Sequence, residues 1–175
     1  MTLAPAPSTP RDAESPDRAI RGTGYRFLRA MASGGMGSVY EVEHVELAKV
    51  MVMKMLLPQF ADRPDLVERL RLEARATSRI SHPNILSVTD LGRTAAGRPF
   101  LVMERLYGRT LKQELSARGA FPPLEAIDTL RQVLSGLEAA HHANIVHRDV
   151  KLDNLFLCDP DELGRRVVKV LDFGI

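Results

Sequence analysis

The sequence predicts an α+β protein, mainly strands first and mainly helices after, and three observations bear on its architecture. Runs rich in Val, Tyr, Phe and Met, broken by turn-like residues, fill the stretch from Tyr25 to Phe60 and return between Ile85 and Leu106. After Gly108 the spacing of apolar residues becomes helical. Before that change, Lys54 in a strand and Glu73 in a helix stand where periodicity calls for apolar residues. A chain of 175 residues is long enough to build one sizeable core or two small ones.

The elements run in order from the N-terminus. Residues 1–22 carry Pro5, Pro7, Pro10 and Pro16 and almost no large apolar side chain. Such a segment cannot offset its ordering entropy, so it reads as a disordered tail. "YRFLRAM", "SVYEVEHV" and "AKVMVMKMLL" read as three strands. "RPDLVERLRLEARATSRIS" reads as a helix, with Pro64 in its first turn and Leu66, Leu70, Thr77 and Ile80 on one face. "ILSVTDLGR" and "PFLVMERL" are two more strands around the turn-rich "TAAGR". "TLKQELSARG" is a short helix. "PPLEAIDTLRQVLSGLEAAHHAN" is a long one, with Ile127, Leu130, Leu134, Leu137 and His141 in a stripe. "NLFLCD" and "RRVVKVLDFGI" return to short strands, the charges of "RRVVKV" reading as a solvated strand end. There is no internal repeat.

Composition narrows the function classes. Apolar residues make up 45% of the chain and charged residues 26%, ordinary globular values. A net charge of +2, with both signs interspersed, gives no warrant for a nucleic-acid partner. The lone Cys158 reads as a small buried hydrophobe and fits a reducing compartment. No apolar run reaches the ~18 residues of a membrane helix, and the N-terminus lacks the apolar stretch of a signal peptide. The expected location is cytoplasmic.

The densest cluster of small residues is Met31-Ala32-Ser33-Gly34-Gly35-Met36-Gly37. Glycines at this density let a backbone approach a phosphate closely, although a plain hairpin turn has the same composition. The residues after Gly37 separate the candidate loops. A dinucleotide-binding turn would open a helix there, and a P-loop would continue Gly-Lys-Ser/Thr. Ser38 to Val45 is instead an alternating strand. Lys54 interrupts the apolar strand on the face of Val50, Val52 and Leu56, and Glu73 interrupts the apolar face of the following helix. A charge on a core-facing position is costly unless paired, so the two most simply answer each other; the other reading has Lys54 reaching out to solvent.

"VHRDVKLDNLFL" holds His147-Arg148-Asp149, Lys151 and Asn154, and "VLDFGI" holds Asp172-Phe173-Gly174. Phosphoryl transfer needs a carboxylate to orient a hydroxyl, oxygen ligands for Mg²⁺ and a cation near the γ-phosphate. Asp149, Asn154, Asp172 and Lys151 make up that set. His141, His142 and His147 lack the cysteine and carboxylate company of a zinc site. Met51, Met53 and Met55 alternate along one strand face and read as core.

By these strings, the chain from Tyr25 to Ile175 resembles the eukaryotic-type protein kinase family. "GGMGSVYE", "HPNIL" and "LDFGI" are similar to its bacterial serine/threonine branch. The resemblance implies a bilobal fold with an N-lobe over 23–103, a hinge over 104–108 and the start of a C-lobe over 109–175. It implies that the loop from Met31 to Gly37 covers the phosphates of ATP and that Val39 and Val52 pack on the adenine. Lys54 would hold the α- and β-phosphates and be held by Glu73. Met103 would be the gatekeeper, with backbone groups of Glu104 and Leu106 on the adenine edge. Asp149 would be the catalytic base, Lys151 would touch the γ-phosphate, and Asn154 and Asp172 would ligate Mg²⁺. Arg148 would clamp a phosphorylated activation loop, and His147 would be structural support. The substrate would be a Ser or Thr hydroxyl of a protein.

The sequence departs from the family's pattern in places. Ala32 stands for the first glycine of the loop, Val52 for an alanine and Leu152 for a proline. Ala32 costs little if its φ is negative. The sequence ends one residue after Asp-Phe-Gly, ahead of the activation segment, the Ala-Pro-Glu motif and the helices that would cover the stripe of the long helix. Two expectations therefore stand side by side. One is a serine/threonine protein kinase of which these residues are a part. The other is an ATP-binding fragment that transfers nothing and holds a partner on that uncovered face.

Overall fold

The computed structural model describes residues 20–35 and 37–173. Residues 1–19 of the expected 1–22 tail, and Met36 and Gly174 from the two loop motifs, lie outside the described residues. Five antiparallel strands build the upper lobe: β1 (Tyr25–Ser33), β2 (Gly37–His44), β3 (Lys49–Leu56), β4 (Val88–Arg93) and β5 (Pro99–Glu104). Their order across the sheet is β1-β2-β3-β5-β4. One helix, α1 (Pro64–Ser78), interrupts the strand sequence between β3 and β4. Pro64 sits in its first turn with Asp65, and Arg75 sits in its last, the charge order that the helix dipole favours.

The alternation read from the strands sorts the sheet into two faces. Tyr40, Val42, Met51, Met53, Met55, Phe100 and Val102 pack together on one side. The methionines are therefore core, as their spacing predicts. Ile20 joins this cluster at 3% exposure, and the amide of Ala95 is bonded to Arg21 O. Composition assigned both residues to the tail, yet the packed chain already includes them. On the other face, Val52, Leu56, Leu101 and Met103 meet Val67, Leu70 and Ala74 of α1. Leu66 and Glu73 fall at the edge of the helix stripe, whose centre is Val67, Leu70, Ala74 and Thr77.

The lower lobe joins two helices, α2 (Leu111–Arg118) and α3 (Pro123–His142), to a three-stranded sheet of β6 (Gly108–Thr110), β7 (Leu155–Cys158) and β8 (Val168–Val170). Thr110 and Gln113 close a reciprocal capping box that fixes where α2 starts. The sheet, α3 and Ile85 share a core of Val133, Ala140, Leu155, Leu157, Val168, Val170 and Phe173. The face of α3 that packs is made of small residues, Thr129, Val133, Gly136 and Ala140. A Cβ on Gly136 would stand 2.9 Å from Asn84 O, so the glycine sets how closely the helix approaches. The stronger apolar stripe points outward. Ile127, Leu130 and Leu134 are exposed, and with His141 they line a groove of about 920 Å³.

Two smaller expectations need correcting. Cys158 is half-buried rather than core, because it shares the outer face of β7 with Phe156 while Leu155 and Leu157 turn inward. Burial pushes its thiol pKa up. Lys169 is not a solvated strand end: its ammonium donates to Glu104 Oε1 at 2.8 Å with only 15% of the side chain exposed.

The strand β8 is stitched on both sides. Val170 N donates to Asn84 O and Leu86 N donates to Val170 O, in the linker between α1 and β4. Leu171 N donates to Asn154 O in the loop before β7. Among the described residues no helix is long and apolar enough to cross a membrane.

Candidate active site

The cleft between the lobes collects the charged residues that broke the sequence pattern. Register puts Val39 opposite Lys54, Glu41 opposite Val52, and Val52 opposite Met103. Directly opposed residues share a sheet face, so all of these side chains line one surface, the roof of the cleft. Lys54 Nζ lies 3.1 Å from Glu73 Oε1 and 3.2 Å from Asp172 Oδ1. The misplaced charges of β3 and α1 do answer each other, and the strand-end carboxylate of Asp172 completes a three-charge cluster.

The electrostatics of this cluster follow from two carboxylates sharing one ammonium. Burial works against the charged form of Lys54, but Asp172 and Glu73 outweigh it and hold its pKa above the ordinary lysine value. Burial, with the Asp172 charge beside it, pushes the Glu73 carboxyl up against the pull of Lys54. The backbone of Asp172 has a φ of 41°, in the left-handed region, which turns its side chain out of the β8 direction.

Across the cleft, the loop between α3 and β7 holds the second cluster. Lys151 Nζ donates to Asp149 Oδ2 at 2.7 Å, and Asn154 Nδ2 donates to the same oxygen at 3.0 Å and to Asp149 O at 2.9 Å. The Lys151 hydrogen bond comes first in keeping the Asp149 carboxyl below the usual carboxylate range, with Asn154 adding to it. The same bond raises the Lys151 pKa. The amide nitrogen of the buried Asn154 is committed to Asp149, which leaves its carbonyl oxygen as the end able to ligate a cation. His147 is 2% exposed. Its Nε2 donates to Leu171 O at 2.8 Å while Nδ1 accepts from Asp149 N at 3.3 Å, so both ring nitrogens are engaged in joining the two loops. Its ring also lies 4.7 Å from that of Phe173. Arg148 is exposed, with a φ of 63° that turns the chain between buried His147 and Asp149.

The glycine loop is the tip of the β1–β2 hairpin. Met31, Ala32 and Ser33 end β1, Gly34 N donates to Gly37 O at 2.9 Å, and Gly35 stands free at the turn. Ala32 has no positive φ, so its methyl is carried without backbone strain. A Cβ on Gly37 would stand 2.8 Å from Met55 O, so glycine is what lets β2 start this close to β3. Val39, Val52, Leu101, Met103, Leu106 and Leu171 form one apolar patch under this roof. At the hinge, Glu104 N donates to Ser87 O and the Glu104 carboxylate takes the amide of Ser87.

Sequence reasoning missed part of this site. Glu41 accepts from Arg29 Nε and Arg105 Nε, each at 2.5 Å. Arg29 first and Arg105 second hold its carboxyl down at about 2. Leu101 and Leu171 also belong to the apolar patch; both were visible only as apolar letters in strands.

Residues 25–175 match the model of the protein kinase domain family. The chain belongs to the protein kinase family. Its relatives carry the same reading. It is 38% identical over 151 residues to the serine/threonine-protein kinase PrkC of Bacillus subtilis, covering 86% of this chain and 22% of that protein. It is 40% identical over 167 residues to the serine/threonine-protein kinase Pkn1 of Myxococcus xanthus, covering 94% of this chain and 23% of that protein. Among solved structures, the PknI kinase domain of Mycobacterium tuberculosis superposes with a TM-score of 0.73 at 26% identity, over 100% of this chain and 64% of that one. The chain thus spans under a quarter of the length of PrkC and Pkn1 and just under two thirds of the PknI kinase domain. The kinase family's α+β, two-lobed architecture is the one described above.

Proposed function

We propose that this chain is the nucleotide-binding and catalytic-loop part of a serine/threonine protein kinase, which transfers the γ-phosphoryl group of Mg-ATP to Ser or Thr hydroxyls of a protein. The observation that carries the reading is the pairing of two clusters across one cleft. Lys54 is held by Glu73 and Asp172 above, and Asp149 is held by Lys151 and Asn154 below. The names of the relatives support the serine/threonine assignment.

The residues divide the work by their chemistry. Asp149, kept ionised by its neighbours, accepts the hydroxyl proton as the new O–P bond forms and the bond to the β-phosphate oxygen breaks, leaving ADP. Lys151, next to it, offers a positive charge to the phosphoryl oxygens; Lys54 offers one to the α- and β-phosphates. The Asn154 carbonyl oxygen and the Asp172 carboxylate are hard oxygen ligands, the donor set that suits Mg²⁺. The ion would supply charge neutralisation for the phosphates there. Val39, Val52, Met103 and Leu106 offer an apolar surface to the base, with the hinge backbone at Glu104 and Leu106 beside it. A cytoplasmic site of action belongs to the same proposal, because that is where ATP is drawn from.

The test uses the full-length protein, radiolabelled ATP and casein as a hydroxyl-bearing acceptor. Asp149→Asn should lower transfer by about 10²–10⁴-fold while nucleotide affinity stays within about twofold. A wild-type protein that binds Mg-ATP but transfers no more than the variant would favour the second reading, a partner-binding module. The exposed stripe of Ile127, Leu130 and Leu134 is the observation on that side.

A further inference from the structure

Glu41 occupies a place where a carboxylate has no business with phosphates. It lies on the cleft face of β2, two residues beyond Val39 and directly opposite Val52. It is 9% exposed, and two guanidinium groups converge on it. Arg29 comes from the neighbouring strand β1, its register partner, and Arg105 comes from the hinge, 64 residues away in sequence. The pair with Arg105 is no rim contact: the two side chains are 11% and 15% exposed, so neither charge is left to water. Arg105 is tied further. Its Nη1 donates to the carbonyl oxygen of Leu106, and its guanidinium lies 4.6 Å above the ring of Tyr107.

One carboxylate therefore grips both the roof of the cleft and the strap that passes behind it. We propose that Glu41 is a positioning residue for the nucleotide: through Arg105 it fixes the hinge backbone from Glu104 to Tyr107 at a set distance below Val39 and Val52, so that the slot for the base is built before the base arrives. The proposal rests on the reading of this cleft as an ATP site. The physical reason is preorganisation. A hinge segment free to sample several arrangements must be ordered on binding, and that cost comes off the affinity. A charge-assisted bond made in the free protein removes the cost beforehand. The role belongs to binding and not to transfer, since the hydrogen bonds of the Glu41 carboxylate go to Arg29 and Arg105 and not to Lys54, Asp149, Lys151, Asn154 or Asp172.

The deciding experiment compares the full-length wild type with Glu41→Gln, which keeps the shape and removes the charge. Glu43→Gln is the control, because Glu43 pairs with Arg26 on the same two strands and does not reach the hinge. Two readouts are taken: amide hydrogen exchange of residues 104–108 without nucleotide, and ATP titration with steady-state kinetics. Glu41→Gln should speed hinge exchange several-fold and weaken ATP binding by about tenfold, the worth of one charge-assisted hydrogen bond. KM for ATP should rise and kcat at saturating ATP should hold within about twofold. Arg105→Gln removes the clamp from the hinge side and should reproduce both effects, which covers the case of a poorly folding Glu41 variant. The proposal is overturned if hinge exchange in Glu41→Gln matches wild type, if Glu43→Gln does the same damage, or if exchange quickens without any change in ATP affinity. A wild type that binds no ATP would sink the reading of the cleft instead, and the exchange comparison keeps that failure distinct from a failure of the clamp.

Discussion

Replacing Lys54 by methionine removes the one cation between two carboxylates and keeps nearly the same volume. In the wild type the ammonium sits 3.1 Å from Glu73 and 3.2 Å from Asp172, with 31% of the lysine side chain exposed. Breaking a buried ion pair by deleting one partner costs about 3–5 kcal/mol. Here half of the Asp172 side chain is in water and the lysine itself is partly wet, so screening reduces the expected loss to about 1–2 kcal/mol at neutral pH. That corresponds to a melting point about 3–8 °C lower. The loss should depend on pH in one direction. Glu73 already has a raised pKa, chiefly from burial, and loses the lysine that opposed the rise. A carboxyl whose folded pKa stands above its unfolded value favours the fold when protonated, so its penalty is absent in acid and grows as pH climbs through the folded value. The deficit of the variant against wild type should therefore be largest near pH 7 and shrink by about half or more towards pH 5. Scanning calorimetry of the full-length protein measures it, the transition of this domain being the one that ATP shifts upward in the wild type. A deficit that stays constant over that range, or no deficit at neutral pH, would refute the shared-cation account.

Three further variants can be checked alongside it. Asn154→Ala removes the donor that steadies Asp149 through both its carboxylate and its carbonyl, along with the oxygen proposed for Mg²⁺. Transfer should fall by about 10²-fold and the Mg²⁺ concentration for half-maximal activity should rise, read from rates across a magnesium titration. Gly108→Ala puts a Cβ 2.2 Å from Leu157 O at a φ of 132°, so stability should drop by about 2–4 kcal/mol; Gly97→Ala, with a φ of 78° and open space around it, should cost about 1 kcal/mol, both read by denaturant titration.

The charged cluster of the cleft was legible because its residues break local rules. Lys54 stands in an apolar strand and Glu73 on an apolar helix face, so each advertises an unseen partner before any fold is known. Asp149, Lys151 and Asn154 are legible as a string, since their mutual bonds span five residues or fewer. Glu41 obeys the rules and so stayed hidden. In "SVYEVEH" it reads as the polar member of an alternating strand, and only the sheet register shows that its face is the cleft and not the solvent. Lys169 and Glu104 were invisible for a different reason: 65 residues separate them, and nothing local points from one to the other. In the long helix the bulky stripe was expected to stand uncovered, and it does; what stayed hidden is the face that packs. Its bulky stripe carries the strongest period, yet the face that packs on β8 is the quiet one of Thr129, Gly136 and Ala140, chosen for closeness of approach rather than for apolar area.

The stitching of β8 bears on how the cleft can move. The strand is bonded to the linker below α1 on one side and to the loop that carries Asn154 on the other, and it ends at Leu171, next to Asp172. Tied on both sides, it has the build of an axle. A tilt of the upper sheet about that line would displace residues least beside it and sweep the outer strands through the longest arc. Asp172 sits near the axle and Lys54 out along the lever, on β3. Opening the cleft would accordingly lengthen the 3.2 Å contact between them first and leave Asp149, Asn154 and Asp172 at nearly fixed separations. The two clusters are thus tied with unequal tolerance: Asn154 is bonded to Asp149 and to Leu171 beside Asp172, while Lys54 would travel with the upper sheet.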